Sequence, residues 1–243
     1  MSTKIEWCDV SWNPVTGCSP ISAGCKNCYA ARMAKRLRGR YGYPKDDPFR
    51  VTLHKDKLDE PLKWKKSRKV FVCSMGDLFH KDASWAWQYS ILSTIGYCSQ
   101  HTFMILTKRP ADMKTCISKF NYTLRNLWLG VTAENQTTAD KRIPVLLSIP
   151  AAVHFVSVEP MLEPVDLNKR ELLCKTWSDG GLTIGTYLDW VIAGPETGPG
   201  ARPCNPKWIE DLYHQCQKSS VPFFDKRKKN WLAREWPEKG ATC

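Results

Sequence analysis

The chain has no apolar run long enough to cross a membrane. No stretch approaches 18 uninterrupted apolar residues, which is the length that marks a transmembrane helix. The first residues also lack the charged and then apolar pattern of a secretory signal peptide. These two absences predict a soluble protein of the cytoplasm that has no membrane partner.

A disulfide framework is not expected either. The chain has eleven cysteines, an odd number, in 243 residues, whereas disulfide scaffolds are mostly short secreted domains. Cys73, Cys98 and Cys174 lie within apolar or amphipathic runs, where a cysteine behaves as a small buried hydrophobic residue. The length predicts one domain over residues 1–243 with a substantial core.

Acidic residues are scarce relative to basic ones. Lys and Arg total 36 against 24 Asp and Glu, which gives a formal net charge of +12. The cations form three groups, Arg32 to Lys45, Lys55 to Lys69 and Lys226 to Lys229, and aromatic residues are interleaved with them: Tyr41, Tyr43, Phe49, Trp64, Trp231 and Trp236. Cations beside rings favour a nucleic-acid partner, because phosphates meet Lys and Arg while unstacked bases meet aromatic faces. A basic solvated surface is the alternative.

Three cysteines stand close together near the start of the chain. Cys18, Cys25 and Cys28 have the spacing C-x6-C-x2-C in a loop that also contains Gly17, Pro20 and Gly24. Such a loop can bring three thiolates to one point, and a helix predicted from Tyr29 to Leu37 follows it. The nearest candidate for a fourth ligand is Cys8, and no histidine precedes His54. The spacing is compatible with an iron–sulfur cluster, with zinc or with unligated thiols.

The rest of the chain repeats one pattern, in which a short apolar strand is followed by a polar cluster and then by a helix. Predicted strands are Val10–Asn13, Lys69–Cys73, His101–Leu106, Leu127–Val131, Val153–Val156, Leu188–Ala193 and Val221–Asp225, and predicted helices are Trp85–Cys98, Ala111–Phe120, Thr138–Ser148 and Pro206–Lys218. This alternation predicts an α/β fold with parallel strands. Six units fit a partial (β/α)6 TIM-type barrel, and residues 163–187 interrupt the rhythm as an insertion.

Four carboxylates follow these strands: Asp77, Glu134, Glu159 and Glu196. In parallel α/β folds, ligands bind at the carboxyl ends of the strands, so the set predicts a site that faces the cysteine loop. Each carboxylate alone can instead be a helix cap or a structural ion pair. Lys108 and Arg109 are candidates to bind an anionic substrate group, or a surface pair at a helix start. His80 is interpreted as a structural histidine.

The sequence resembles radical S-adenosylmethionine (SAM) enzymes. The similarity is carried by Asn13-Pro14-Val15-Thr16-Gly17-Cys18 and by Gly24-Cys25-Lys26-Asn27-Cys28-Tyr29-Ala30. Two departures are a gap of six rather than three residues between the first two cysteines, and Asn27 in place of an aromatic residue. Over nearly its whole length the chain also resembles a phage-borne, radical-SAM-like family without an assigned function. Those blocks are Met75–Phe79, Leu106–Pro110, Gly130–Asn135, Ser157–Pro160 and Gly194–Gly198.

The resemblance implies a [4Fe–4S] cluster on Cys18, Cys25 and Cys28, with the cluster loop at the C-terminal mouth of the barrel. The iron without a cysteine would chelate SAM, and an electron from an external one-electron reductant would yield a 5′-deoxyadenosyl radical. By position, Ser74, Met75, Gly76 and Asp77 would meet the methionine amino group, and Tyr29 the adenine. Thr132, Glu134 and Asn135 would meet the ribose and carboxylate, while Ser157, Glu159 and Glu196 would complete the SAM or substrate side. Lys108, Arg109 and Glu159 are the candidate catalytic residues.

For the substrate, the basic clusters and the phage-associated resemblance favour a base in phage DNA, single-stranded or flipped out of a duplex. The specific prediction is radical isomerisation or modification of a hypermodified pyrimidine, an amino-acid-decorated thymine, in the host cytoplasm. Two alternatives stay open. One is a radical SAM lyase that repairs damaged nucleic acid, and the other is a zinc-stapled nucleic-acid-binding protein without catalysis.

Overall fold

A computed structural model describes residues 5–168, 172–173, 177–178, 181–182 and 187–238. The chain divides into two compact units, Met1–Trp128 and Leu129–Cys243. Each unit combines parallel strands with helices, so the predicted α/β class is confirmed. The prediction of one domain over the whole chain stays a prediction.

The first unit is built on three parallel strands in the order β1-β4-β5. These strands are β1 (Val10–Trp12), β4 (Lys69–Val72) and β5 (Thr102–Thr107). Val10 is paired with Val70, and Val70 in turn with Phe103. All three side chains are buried, as expected for parallel strands covered on both faces.

Three helices belong to this unit: α1 (Tyr29–Arg36), α2 (Trp85–Tyr97) and α3 (Pro110–Phe120). Helix α1 buries Ala30 and Ala34 in a small cluster with Tyr43 and Met75, so one apolar face packs while the cationic face is left outward. Helix α3 begins at Pro110, and Asn121 ends it in the left-handed conformation, with φ of 56°. Proline at the first position and asparagine after the last are common helix boundaries.

A two-stranded antiparallel ladder follows the first strand. It pairs β2 (Val15–Thr16) with β3 (Thr52–Leu53), and a 3-10 turn over Lys55–Lys57 comes next. The segment between α1 and β4 is therefore attached, through Thr52 and Leu53, to the residues just before Cys18.

The second unit contains strands in the order β6-β7-β10-β11. They are β6 (Leu127–Thr132), β7 (Val153–Val158), β10 (Trp190–Ala193) and β11 (Phe223–Asp225), and β10 pairs in parallel with both β7 and β11. Helices α4 (Gln136–Leu147) and α5 (Pro206–Lys218) complete the unit. A short antiparallel pair, β8 (Trp177–Ser178) and β9 (Gly181–Leu182), lies within residues 163–187.

Every strand and helix that the sequence predicts is present, with boundary shifts of one or two residues. Strands β5, β6 and β7 each run further than predicted, so Thr107, Thr132 and Ser157 are strand residues with buried side chains. Helix α4 begins two residues early because Asn135 caps it and forms a reciprocal capping box with Thr138, which satisfies two backbone donors at its start.

Part of the predicted insertion, and Cys174 with it, lies outside the described residues. Cys73 and Cys98 are buried as predicted, at 4% and 0% exposure. No disulfide joins the nine cysteines that are described. In the described part of the chain, no helix has both the length and the apolar character needed to span a bilayer.

Candidate functional site in the cysteine loop

Two glycines fasten the cysteine loop to the end of strand β4. The Gly17 N–H donates to the Met75 carbonyl at 2.9 Å, and the Asp77 N–H donates to the Gly17 carbonyl at 3.3 Å. A Cβ on Gly76 would lie 2.8 Å from the Gly17 oxygen, and one on Gly17, where φ is +90°, would lie 2.3 Å from the Arg50 oxygen. Without a side chain, Gly76 lets the β4 end approach the Gly17 backbone, and Gly17 lets the cysteine loop approach the Arg50 backbone.

Asn13 fixes the polar segment that follows β4. Its side-chain oxygen accepts from the Met75 N–H at 2.9 Å and from the Ser74 hydroxyl at 3.1 Å. The Tyr29 hydroxyl donates to the Ser74 carbonyl, while the side chain stays 49% exposed. Asn13 and Tyr29 therefore bring the cysteine loop, the start of α1 and the β4 end together.

The three cysteines are each half-buried. The Cys18 sulfur accepts a hydrogen bond from the Arg109 guanidinium at 3.3 Å, and the Cys25 sulfur lies 3.9 Å from the Ser22 hydroxyl. Cys28 precedes the first residue of α1, and its carbonyl accepts from the Arg32 N–H. A soft sulfur donor set confined to one short loop suits zinc or an iron–sulfur centre.

The electrostatic surroundings of two sulfurs differ. Burial, followed by the charge of Asp77, raises the pKa of Cys18 to about 11 despite the neighbouring Arg109. For Cys25, burial alone would raise the pKa, but hydrogen bonds from the Ile21 and Ser22 backbones and the charge of Lys108 outweigh it, so the pKa is lowered. Lys108 thus favours the thiolate of the central cysteine.

The three sulfurs do not converge on one point as the spacing predicted. Among the described residues, no three His, Cys, Asp or Glu side chains are grouped closely enough to hold a single metal ion. The reason is local, since Cys18 and Cys25 are held by different partners, Arg109 and Ser22. In a cubane [4Fe–4S] cluster each cysteine binds a different iron atom, so the three sulfurs need not surround a single ion. The donor set and its confinement to one loop fit such a cluster.

A buried polar network occupies the ends of β4 and β5. The Thr107 hydroxyl lies 2.9 Å from both Asp77 carboxylate oxygens, and the Arg109 guanidinium lies 3.2 Å from one of them. The Thr107 oxygen also accepts from the Arg109 N–H at 2.9 Å. Arg109 and Asp77 side chains are 9% and 8% exposed. The two strand ends are therefore cross-linked directly behind Cys18.

His80 extends this network. Its Nδ1 accepts from the Asp82 N–H at 3.1 Å, and its Nε2 lies 2.7 Å from the Ser19 hydroxyl. In the neutral ring the proton is therefore on Nε2. Burial, and then the charge of Arg109, lowers the pKa of His80. Through these contacts His80 holds the side chain of Ser19, the residue after Cys18, in place.

The candidates on β6 and after it lie in the second unit. Glu134 is fully buried, and Arg142 of α4 donates to its carboxylate and to the Thr132 carbonyl, each at 2.7 Å. Asn135 is the cap of α4. The structure thus gives Glu134 a structural ion pair, which is one of the alternatives that the sequence left open for it, and makes Asn135 a helix cap.

The later strand ends of this unit carry three further ion pairs. Lys226 lies 2.6 Å from both Glu159 oxygens, Arg202 binds the Glu196 carboxylate through two nitrogens, and Arg227 does the same to the buried Asp225. Ser157 is buried in β7, and its carbonyl accepts from the Ala133 N–H. Every strand-end carboxylate named here thus has its own cation.

Sequence reasoning missed several of these partners. Arg142 lies on α4, Arg202 in the segment before α5, and Lys226 in the third cation group, but nothing in their spacing pairs them with a particular carboxylate. The ion pair of Asp225 could have been predicted, because Arg227 follows two residues later at the end of a predicted strand. The Thr107 contact could have been predicted as well, since Thr107 directly precedes Lys108 and Arg109.

The fold and this site define an α/β protein with a thiol-bearing loop fastened to the carboxyl ends of parallel strands. Residues 2–242 match the family model DUF5131, which is described as a protein of unknown function, and the chain belongs to that family. Searches of curated proteins and of solved structures found no match.

Proposed function

We propose that this protein is a radical SAM enzyme that binds a [4Fe–4S] cluster through Cys18, Cys25 and Cys28 and acts on a base in DNA. The observation that supports it best is the attachment of a three-thiol loop to the β4 end through Gly17 and Gly76. A cluster bound there would supply one electron, received from an external reductant, to cleave SAM. The proposal includes the partial (β/α)6 architecture that the resemblance implies.

The residues around the loop have separate tasks in this proposal. Ser74 to Asp77 offer backbone and carboxylate acceptors for the SAM amino group, and their position is set by Asn13. The half-exposed ring of Tyr29 is assigned to the adenine. Thr132, Glu134 and Asn135 keep the ribose and carboxylate assignments that the resemblance implies. Ser157, Glu159 and Glu196 keep theirs to the SAM or substrate side.

DNA is the proposed substrate because of the exposed surface that follows the loop. Lys35, Arg36, Arg38 and Arg40 are exposed at the end of α1 and after it, and Tyr41 is 72% exposed. Cations can neutralise phosphates, and an exposed ring can stack on an extruded base. Within this class, we propose isomerisation of an amino-acid-decorated thymine in phage DNA.

Anaerobic reconstitution with iron and sulfide tests the proposal. We expect about four irons per chain, the stoichiometry of a cubane cluster, a visible absorbance band, and 5′-deoxyadenosine when SAM and dithionite are added. Cys25→Ala is expected to lose the iron and the cleavage of SAM. Cys204→Ala is the matched control, because this half-buried cysteine lies outside the loop and its loss should change neither.

Three results distinguish the alternatives. One zinc and no colour would identify a zinc-stapled binding protein. Restoration of a normal base in damaged DNA would identify a repair lyase, whereas a new modified base supports the proposal. Iron content and SAM cleavage that survive Cys25→Ala would overturn the cluster assignment.

A further inference from the structure

The Arg109 side chain is directed at the cysteine loop and not at open solvent. One guanidinium nitrogen lies 3.3 Å from the Cys18 sulfur and 3.2 Å from an Asp77 oxygen. The other donates to the Ser19 carbonyl at 2.9 Å and to the Ser19 hydroxyl at 3.1 Å. With the side chain only 9% exposed, its donors are committed within the protein.

Several neighbouring groups fix the position of the Arg109 side chain. Thr107 holds the Arg109 backbone and the Asp77 carboxylate at once, and Asp77 is also fixed by the Phe79 N–H at 3.0 Å. A planar guanidinium presents its donors in a rigid fork, whereas a lysine ammonium is a compact charge with rotatable donors on a flexible stem. Arg109 is therefore a rigid cation whose distance from the Cys18 sulfur is set by β4 and β5.

A fixed cation that donates a hydrogen bond to a ligand sulfur changes the energy of reduction. Adding one electron to a cluster increases its negative charge, and a nearby positive charge with an N–H···S bond stabilises that reduced state more than the oxidised one. Because the Arg109 side chain is only 9% exposed, solvent screens its charge little. The potential of the cluster should therefore be higher with Arg109 than without it.

We propose that Arg109 is a positioning residue that holds Cys18 and raises the reduction potential of the cluster, an inference that rests on the function proposed above. Arg109 would then set how readily the external reductant transfers an electron to the cluster. This role differs from the sequence-based expectation that Arg109 binds an anionic substrate group, because both terminal nitrogens are already used. Lys108 is the neighbouring cation that stays available for such a group.

The test is an anaerobic redox titration of the reconstituted full chain without SAM, followed by absorbance and electron paramagnetic resonance. At a potential where half of the wild-type cluster is reduced, Arg109→Gln should lower the reduced-to-oxidised ratio about tenfold, equivalent to about 59 mV for a one-electron couple. Arg109→Lys keeps the charge but not the forked geometry, so it should give a smaller drop in the same direction. If circular dichroism shows that Arg109→Gln does not fold, Arg109→Lys provides the test instead.

Arg68→Gln is the matched control. It removes the same charge from the same unit, but its guanidinium lies over the Trp64 ring at 5.2 Å, so the potential should not change. An unchanged potential in folded, iron-loaded Arg109→Gln or Arg109→Lys would overturn this inference and leave the proposed function intact. A wild-type chain that takes up no cluster would overturn both.

Discussion

At the scale of single residues, two glycines decide whether the cysteine loop can reach the strand beneath it. The sequence places Gly17 before Cys18 and Gly76 after Met75, but the reason for a glycine at each position is a contact between distant segments. Only the structure shows that the added Cβ of one would meet the backbone of the other. Local turn chemistry could not have predicted the need for Gly76.

Gly76→Ala is expected to destabilise the protein by about 1–3 kcal/mol, the usual cost of forcing extra atoms into a packed site. The added carbon would lie within 2.9 Å of three Gly17 and Thr16 backbone atoms, which cannot rotate away as a side chain can. Denaturant unfolding measures this change.

Gly96→Ala provides the comparison. Its added Cβ meets only the Leu124 side chain, at 3.3 Å, and alanine is favoured over glycine in a helix by up to about 1 kcal/mol. We expect a much smaller effect on stability. Equal losses for the two variants would show that Gly76 is not a point of close approach.

The strand-end carboxylates show the limit of residue-level prediction. The sequence identified Asp77, Glu134, Glu159 and Glu196 as a set, and the structure confirms that each follows a strand. Their partners are set by tertiary packing: Arg109 and Arg142 come from helix starts or helix faces, while Lys226 follows β11. A carboxylate at a strand end thus indicates an ion pair, and its functional meaning has to come from its surroundings.

At the scale of elements, the pattern of apolar runs was sufficient to predict every long strand and helix. It succeeded because buried parallel strands are continuously apolar and because Pro206 marks the start of α5. The boundaries at Pro110 and Asn135 were missed, so α3 and α4 begin one and two residues earlier than predicted. The apolar runs also missed β2 and β3, whose two residues each are too few to form a pattern. Their pairing depends on contacts across the loop between them.

A histidine reinforces the pairing of these two short strands. His54 follows β3, is 4% exposed, and its Nε2 lies 2.8 Å from the Thr16 hydroxyl of β2. Its N–H donates to the Pro14 carbonyl at 2.8 Å. Because Thr16 is two residues from Cys18, this contact supports the entry to the cysteine loop.

The stability of the fold should fall on acidification through this histidine. Burial, and then the charge of Lys57, lowers the pKa of His54 below its ordinary 6.5. Below pH 6.5 the unfolded chain therefore binds more protons than the folded one, so stability is complete above that pH and declines as the pH falls toward the lowered value. His80 contributes in the same direction because its pKa is also lowered.

Unfolding by denaturant between pH 8 and pH 5 checks this expectation. His54→Gln should weaken the acid-induced loss without abolishing it, since His80 remains. His214→Gln, at an exposed position on α5, should leave the pH dependence as in the wild type. A wild-type stability that is flat from pH 8 to pH 5 would contradict the argument.

At the scale of the whole molecule, the nucleic-acid partner was predicted from the excess of cations in the sequence. The structure adds the distinction between exposed cations and those already paired: Arg109, Arg142 and Arg227 lie in ion pairs and are little exposed, whereas Lys35, Arg36 and Arg38 are exposed. Only the exposed group can release counterions from a nucleic acid. Net charge alone could not separate the two groups.

Single-stranded and duplex DNA should therefore bind in a salt-dependent manner through the segment at the end of α1. Replacing Lys35, Arg36 and Arg38 together with Gln should weaken binding. It should also reduce the slope of log Kd against log salt by about 2–3, because each lost phosphate contact removes about 0.7–0.9. Fluorescence anisotropy at several salt concentrations measures both quantities.

A control with the same loss of charge separates a local contact from the general field of the protein. Lys114, Lys141 and Lys207 are exposed on α3, α4 and α5, and their joint replacement with Gln lowers the net charge equally. If the α1 segment contacts phosphates directly, this control should keep the wild-type slope, because a charge that makes no phosphate contact acts only through screened long-range attraction. Equal slopes for both triple variants, or wild-type binding that ignores salt, would place the DNA contact elsewhere or exclude it.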